Sequence, residues 1–115
     1  MDDCIFCLIA AGKIPAEIVW HDGSFVAFRD LHPQMPVHVL VIPREHYSGL
    51  DAGVPPEVLG ALLAAAPRVA EAAGIAEAGY RVILNTGTDA GQTVAHLHMH
   101  VLGGAAMAEG MVKLA

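Results

Sequence analysis

Near one end of the chain stands Val94-Ala-His-Leu-His-Met-His-Val-Leu102, in which three histidines alternate with apolar residues. Side chains of an extended strand point to opposite faces in turn. Val94, His96, His98, His100 and Leu102 therefore share one face, and Ala95, Leu97, Met99 and Val101 share the other. The apolar face has to be covered, which calls for a sheet with a helix packed on it. The opposite face sets three imidazoles side by side, about 7 Å between successive Cα atoms. Core packing gives no reason for such a row, whereas clustered histidines mark metal or catalytic sites.

The remaining sequence supplies the sheet and the helix. Asp3 is a candidate cap for a short helix over Cys4 to Ala11, which Gly12 and Pro15 end. Asp22-Gly23 separates two runs of β-formers, Glu17 to His21 and Phe25 to Asp30, a hairpin signal. Val37 to Pro43 reads as a buried third strand, Tyr80 to Asn85 as a fourth and Val94 to Leu102 as a fifth. From Pro55 to Ala73 the apolar residues Val58, Leu62, Ala65, Val69 and Ala73 recur at helical spacing, and Pro67 predicts a kink or break there. The expected fold is α+β: a five-stranded, mainly antiparallel sheet, one long helix across a face and a short N-terminal helix, all in a single domain, 1–115.

Composition narrows the partners. Six Lys and Arg against twelve Asp and Glu give a net charge of −6, which argues against a surface that tracks a nucleic-acid polymer. Hydrophobic residues reach 55%, so a large core is expected, with a subunit interface as a second destination. The longest charge-free stretch, Ala90 to Ala108, contains the histidines and several glycines, so no membrane span is expected. The acidic start MDDCIFC does not resemble an export signal, and a cytoplasmic location is expected. In a reducing compartment the only cysteines, Cys4 and Cys7 at CxxC spacing, read as metal ligands or a redox pair before a disulfide.

Two chemistries suit the histidine row: metal ligation by imidazoles two residues apart, or nucleophilic attack on phosphorus by one imidazole with its neighbours orienting it. The preceding loop Gly87-Thr-Asp-Ala-Gly-Gln-Thr93 offers backbone N–H groups and a hydroxyl suited to a phosphate, although no lysine follows as in a P-loop. Between Arg81 and Lys113 there is no Lys or Arg, which favours one reacting phosphoryl group over a long polyphosphate.

These residues resemble a known family. NTGTDAGQTVAHLHMHVLG, residues 85–103, is similar to the signature of the histidine triad (HIT) superfamily, and CIFCLIAAGKIPAEIVWHD, FRDLHPQMPVHVLVIPREH and the final LGG resemble its nucleotide-binding branch. The resemblance implies a homodimer whose sheets join into one, and hydrolysis or transfer of purine nucleoside monophosphates from 5′-phosphoramidates or related conjugates through a covalent nucleotidyl-histidine. It makes His98 the nucleophile, with His100 at the phosphate or leaving group. Asn85, Gly91, Gln92, Thr93 and Val94 would then surround the phosphate. Asp30 would take the ribose hydroxyls with Leu31 beside it. Phe6, Ile9 and Phe28 would line the base pocket, although ordinary core is an equal reading of those three. His38 would support the triad or be a plain buried histidine, while His21 and His32 read as solvent-facing.

Members of the family that carry an N-terminal CxxC and a histidine after the IP strand bind zinc, which implies a structural zinc ion held by Cys4, Cys7, His46 and His96. A thioredoxin-like redox pair and two inert thiols are the competing readings. For function the alternatives are a dinucleoside polyphosphate hydrolase and a nucleotide-binding interaction module with incidental catalysis. After LGG the tail AAMAEGMVKLA lacks the Trp- and Pro-containing ending common in the nucleotide-binding branch.

Overall fold

A computed structural model describes residues 3–115, so Met1 and Asp2 of the expected domain lie outside the described residues. Helix α1 spans Ile5–Ala10, followed by strands β1 Ile18–His21, β2 Phe25–Arg29 and β3 Val37–Pro43. Helix α2 spans Pro56–Ala72, and strands β4 Tyr80–Ile83 and β5 Met99–Gly103 complete the sheet. Its order is β1-β2-β3-β5-β4 and every neighbouring pair is antiparallel. The expected α+β architecture is borne out.

Period-two patterning in β2 and β3 divides the core between two faces. Phe25, Ala27, Val39 and Val41 meet Leu62, Ala65, Ala66, Val69 and Ala70 of α2, with Leu97, Met99 and Val101 in the same layer. Fully burying each larger aliphatic side chain contributes about 1.5–3 kcal/mol. Val26, Phe28, Leu40 and Ile42 face the other way and pack on Phe6 of α1. Helix α1 is only six residues long, so part of that face stays open beside His98 and His100. Among the described residues no helix is long and apolar enough to cross a membrane.

Three local expectations are corrected. Asp3 does not cap α1: the helix begins at Ile5 and Cys4 is the N-cap, its Sγ accepting the N–H of Cys7 at 3.4 Å. Pro67 neither breaks nor ends α2, which runs continuously through it. Pro67 and Leu63 are both exposed, so the Leu63 carbonyl that loses its helical partner can turn to water. The fifth strand starts at Met99 rather than Val94, because Pro43 in the facing strand has no N–H to continue the ladder. Side-chain bonds hold the segment before Met99 instead, and Ala95 is exposed.

The LGG sequence has a steric basis. A Cβ on Gly103 would lie 2.8 Å from Ile75 Cδ1 and 3.2 Å from the Gly79 carbonyl, and Gly104 adopts φ +91° as the chain leaves the sheet.

Candidate active site

A cleft of about 380 Å³ opens on the sheet face opposite α2. Phe6 and Ile9 of α1, Phe28 and Leu40 of the sheet, and Ile14, Pro15 and Ala16 form its apolar walls. Phe6 and Phe28 meet edge to face with centroids 5.5 Å apart. Asp30 and Leu31 stand where β2 ends, and Leu31 is 88% exposed at the mouth. Thr93, Val94, His98 and His100 close the polar end.

The histidines hold defined tautomers. A carbonyl only accepts, so the ring nitrogen of His98 that lies 2.7 Å from the His96 carbonyl, Nδ1, carries the proton. Nε2 of His98 is then left with its lone pair free. The Gln34 N–H donates to Nδ1 of His38 at 3.0 Å, so neutral His38 keeps its proton on Nε2. That proton is donated to Nδ1 of His100 at 2.8 Å, which places the remaining N–H of His100 on Nε2. A bare nitrogen on His98 and an N–H on His100 thus stand on neighbouring rings, whose centroids are 5.1 Å apart.

Burial keeps both partners of this chain neutral. It pushes His100 down to about 4, helped by His98 and His38 beside it and opposed by Asp30. His38 is lowered by the same desolvation, again opposed by Asp30, whose Oδ2 lies 3.5 Å from His38 Nε2. The other oxygen of Asp30, Oδ1, accepts the His32 N–H at 2.8 Å and fixes the carboxylate at the cleft rim.

Asn85, Gly91 and Gln92 do not line this cleft and instead shape the loop beside it. Asn85 Nδ2 donates to the Ala90 carbonyl at 2.8 Å, and the Gly91 and Gln92 N–H groups bond to the Thr88 and Gly87 carbonyls. The Gln92 side chain accepts from Gly87 N–H at 2.9 Å and donates to the carbonyls of Ser48 and Val94 at 2.8 and 3.0 Å. His21 and His32 are exposed, as expected.

Behind the cleft lies a second constellation. Cys7 Sγ is 3.2 Å from His46 Nδ1, His96 Nδ1 is 3.1 Å from His46 Nδ1, and His96 Nδ1 lies 3.4 and 3.5 Å from Cys4 and Cys7. The four donor atoms lie within 4.8 Å of one another, which makes them a possible metal-binding group. His96 is fully buried, and Nε2 donates to the Pro43 carbonyl at 2.9 Å, so its Nδ1 lone pair points into the group.

The family model described as HIT domain matches residues 11–107. The chain belongs to the HIT family. Protein HitA of Neisseria gonorrhoeae is 43% identical over 105 residues, covering 90% of this chain and 97% of that protein. Purine nucleoside phosphoramidase of Escherichia coli (strain K12) is 42% identical over 105 residues, covering 90% and 88%. A HIT family hydrolase from Clostridium thermocellum superposes with a TM-score of 0.91 at 42% identity, covering 97% of this chain and 99% of that one. The chain is a HIT-family hydrolase.

Sequence reasoning did not find the HIT cleft walls at Ile14, Pro15, Ala16 and Leu40, or the Gln34 N–H behind His38. Alternation in Val37–Pro43 does set His38, Leu40 and Ile42 on one face, and that signal could have supplied Leu40.

Proposed function

We propose that this HIT hydrolase cleaves purine nucleoside 5′-phosphoramidates or related nucleotide conjugates at the α-phosphorus through a nucleotidyl-His98 intermediate. The observation that carries the reading is the pairing of a bare Nε2 on His98 with an Nε2–H on His100 in one cleft. The Escherichia coli relative, named a purine nucleoside phosphoramidase, supports the substrate class.

Phe6, Ile9 and Phe28 sandwich the base, Asp30 accepts the ribose hydroxyls with Leu31 at the mouth, and Thr93 and Val94 meet the phosphate oxygens. Asn85, Gly91 and Gln92 hold the loop in shape for that contact. His98 Nε2 attacks phosphorus as its Nδ1–H stays on the His96 carbonyl, and the P–N bond to the leaving amine breaks. The anionic phosphate raises the proton affinity of the His38–His100 pair, which takes one proton from solvent as His100 delivers its own Nε2 proton to the leaving nitrogen. Water then attacks phosphorus, gives up a proton to His100, and His98 departs.

The Cys4, Cys7, His46 and His96 group fits zinc. Zn–N bonds of about 2.0–2.1 Å and Zn–S bonds of about 2.3 Å place tetrahedral donors roughly 3.3–3.8 Å apart, close to the spacing here. Bound zinc supplies a structural cross-link between α1 and the histidine segment. Two thiols in such a site suit a reducing, cytoplasmic setting. For the homodimer, β1 and β4 are the sheet edges, and β1 carries a register shift between Ile18 and Trp20. The regular β4 edge is the one a second copy extends.

Incubation with adenosine 5′-phosphoramidate should yield adenosine monophosphate and ammonia, faster than diadenosine polyphosphates are cleaved. Faster cleavage of the dinucleotides would overturn the substrate assignment. Tight monophosphate binding without turnover of either would overturn the enzyme reading.

A further inference from the structure

We infer that the Cys4–Cys7–His46–His96 group is a positioning device for the nucleophile, acting on His98 through the main chain of His96. The inference rests on the proposed roles of His98 as nucleophile and of the four residues as zinc ligands.

His96 is held at three points. Its Nδ1 faces Cys4, Cys7 and His46, its Nε2–H is bonded to the Pro43 carbonyl, and its own carbonyl accepts the Nδ1–H of His98 at 2.7 Å. The other side of that same peptide group is held as well: the Leu97 N–H donates to the Tyr47 carbonyl at 2.6 Å. Tyr47 follows His46 directly, so the peptide unit that accepts the His98 proton is pinned between two segments that each carry a ligand. The sheet does not do this work, since the β3–β5 ladder begins at the Val41–Met99 pair and residues 96–98 lie before it. The proton position on His98, and with it the free Nε2 lone pair, therefore depends on the ligand group.

A second link runs through α1. Phe6 lies between Cys4 and Cys7 and sets its ring edge to face against both His98, at 5.2 Å, and His96, at 5.9 Å. A six-residue helix does not persist alone in water, so its anchoring depends on tertiary contacts, those of the ligand group among them. The same helix lends Ile5, Phe6 and Ile9 to the cleft. Loss of metal should thus lower kcat, through His98, and raise KM, through the base wall.

The test starts with elemental analysis of the protein as purified, followed by zinc removal with a strong chelator and reconstitution with zinc alone. Imidazole proton–nitrogen correlation spectra read the Nδ1–H of His98, and kcat and KM are measured on adenosine 5′-phosphoramidate in parallel. Stripping should replace the single Nδ1–H signature by a mixture of tautomers and lower kcat by about 10–100-fold, as loss of the hydrogen bond that orients a functional imidazole does. Zinc should restore both. If the stripped chain loses its fold, His46→Ala, which keeps three ligands, carries the test. Its His98 signature should weaken and kcat fall about fivefold or more, while His46→Cys, with four ligands again, should recover both. A zinc-bearing protein whose His98 signal and kcat ignore stripping or His46→Ala overturns the coupling alone. Protein that neither contains nor takes up zinc overturns the zinc assignment and the coupling with it.

Discussion

His38 Nε2 lies 2.8 Å from His100 Nδ1, and the two residues are diagonal neighbours across the β3–β5 ladder, where His38 pairs with Leu102 and His100 with Leu40. This contact decides which nitrogen of His100 presents a proton to the cleft. His38→Ala should lower kcat by roughly 10–100-fold with little change in KM, because a histidine's orienting partner is removed while the nucleoside contacts remain. Steady-state kinetics separate the two constants, and an equal rise in KM would assign His38 to binding instead.

Acid should destabilise the fold through the same pair. Burial lowers His100 to about 4 and lowers His38, both against an ordinary value of 6.5. A depressed histidine is protonated in the unfolded chain first, so its stabilisation is complete above pH 6.5 and is lost as pH falls toward 4. After solvent screening at the cleft, the His100 contribution is about 1–2 kcal/mol. Denaturant unfolding at intervals across this window should show the decline, and His100→Asn should flatten it. Using that variant separates the effect from acid release of the proposed zinc, which both proteins would share.

Asp30 should matter to binding rather than to bond breaking. Its carboxylate is already oriented by the His32 N–H and stands at the cleft rim. Asp30→Asn keeps the Oδ1 acceptor for that turn and removes the charge. KM for a ribonucleoside substrate should rise by about 10–100-fold, the equivalent of one charge-assisted hydrogen bond. Discrimination against an analogue lacking the ribose hydroxyls should shrink with it, and unchanged discrimination would place the ribose elsewhere.

Gln92 joins three main-chain groups, at Gly87, Ser48 and Val94, through one side chain. Gln92→Ala should cost about 0.5–1.5 kcal/mol of stability, since the exposed Gly87 and Ser48 groups turn to water and only the partly buried Val94 carbonyl loses its bond. Thermal unfolding measures this directly. Gln92→Glu should be destabilising too, because a carboxylate cannot donate to the Ser48 and Val94 carbonyls.

Much of this was legible in the sequence because alternation and spacing report faces. The side of the sheet taken by Leu97, Met99 and Val101 followed from period two, even though residues 94–98 proved not to be strand. What patterning could not show is how far a ladder extends, since Pro43 stops pairing from the opposite strand, distant in sequence. The capping role of Cys4 was hidden for a related reason: sulfur is a weak acceptor and Asp3 is the stronger local signal. The CxxC and the two distant histidines were brought together by resemblance, and the structure sets their donor atoms within ligand reach. The hydrogen bonds that fix tautomers at His38, His98 and His100 depend on register between strands, which one sequence does not encode locally.

The central claim is that His98 Nε2 becomes bonded to phosphorus. Rapid acid-free quenching of the enzyme during turnover of adenosine 5′-phosphoramidate, followed by intact-mass analysis and peptide mapping, tests it most directly. The predicted result is a transient mass increase of one adenylyl group on the peptide containing His98, absent in His98→Ala together with turnover. Full turnover by His98→Ala, or an adenylyl group found on another residue, would contradict it.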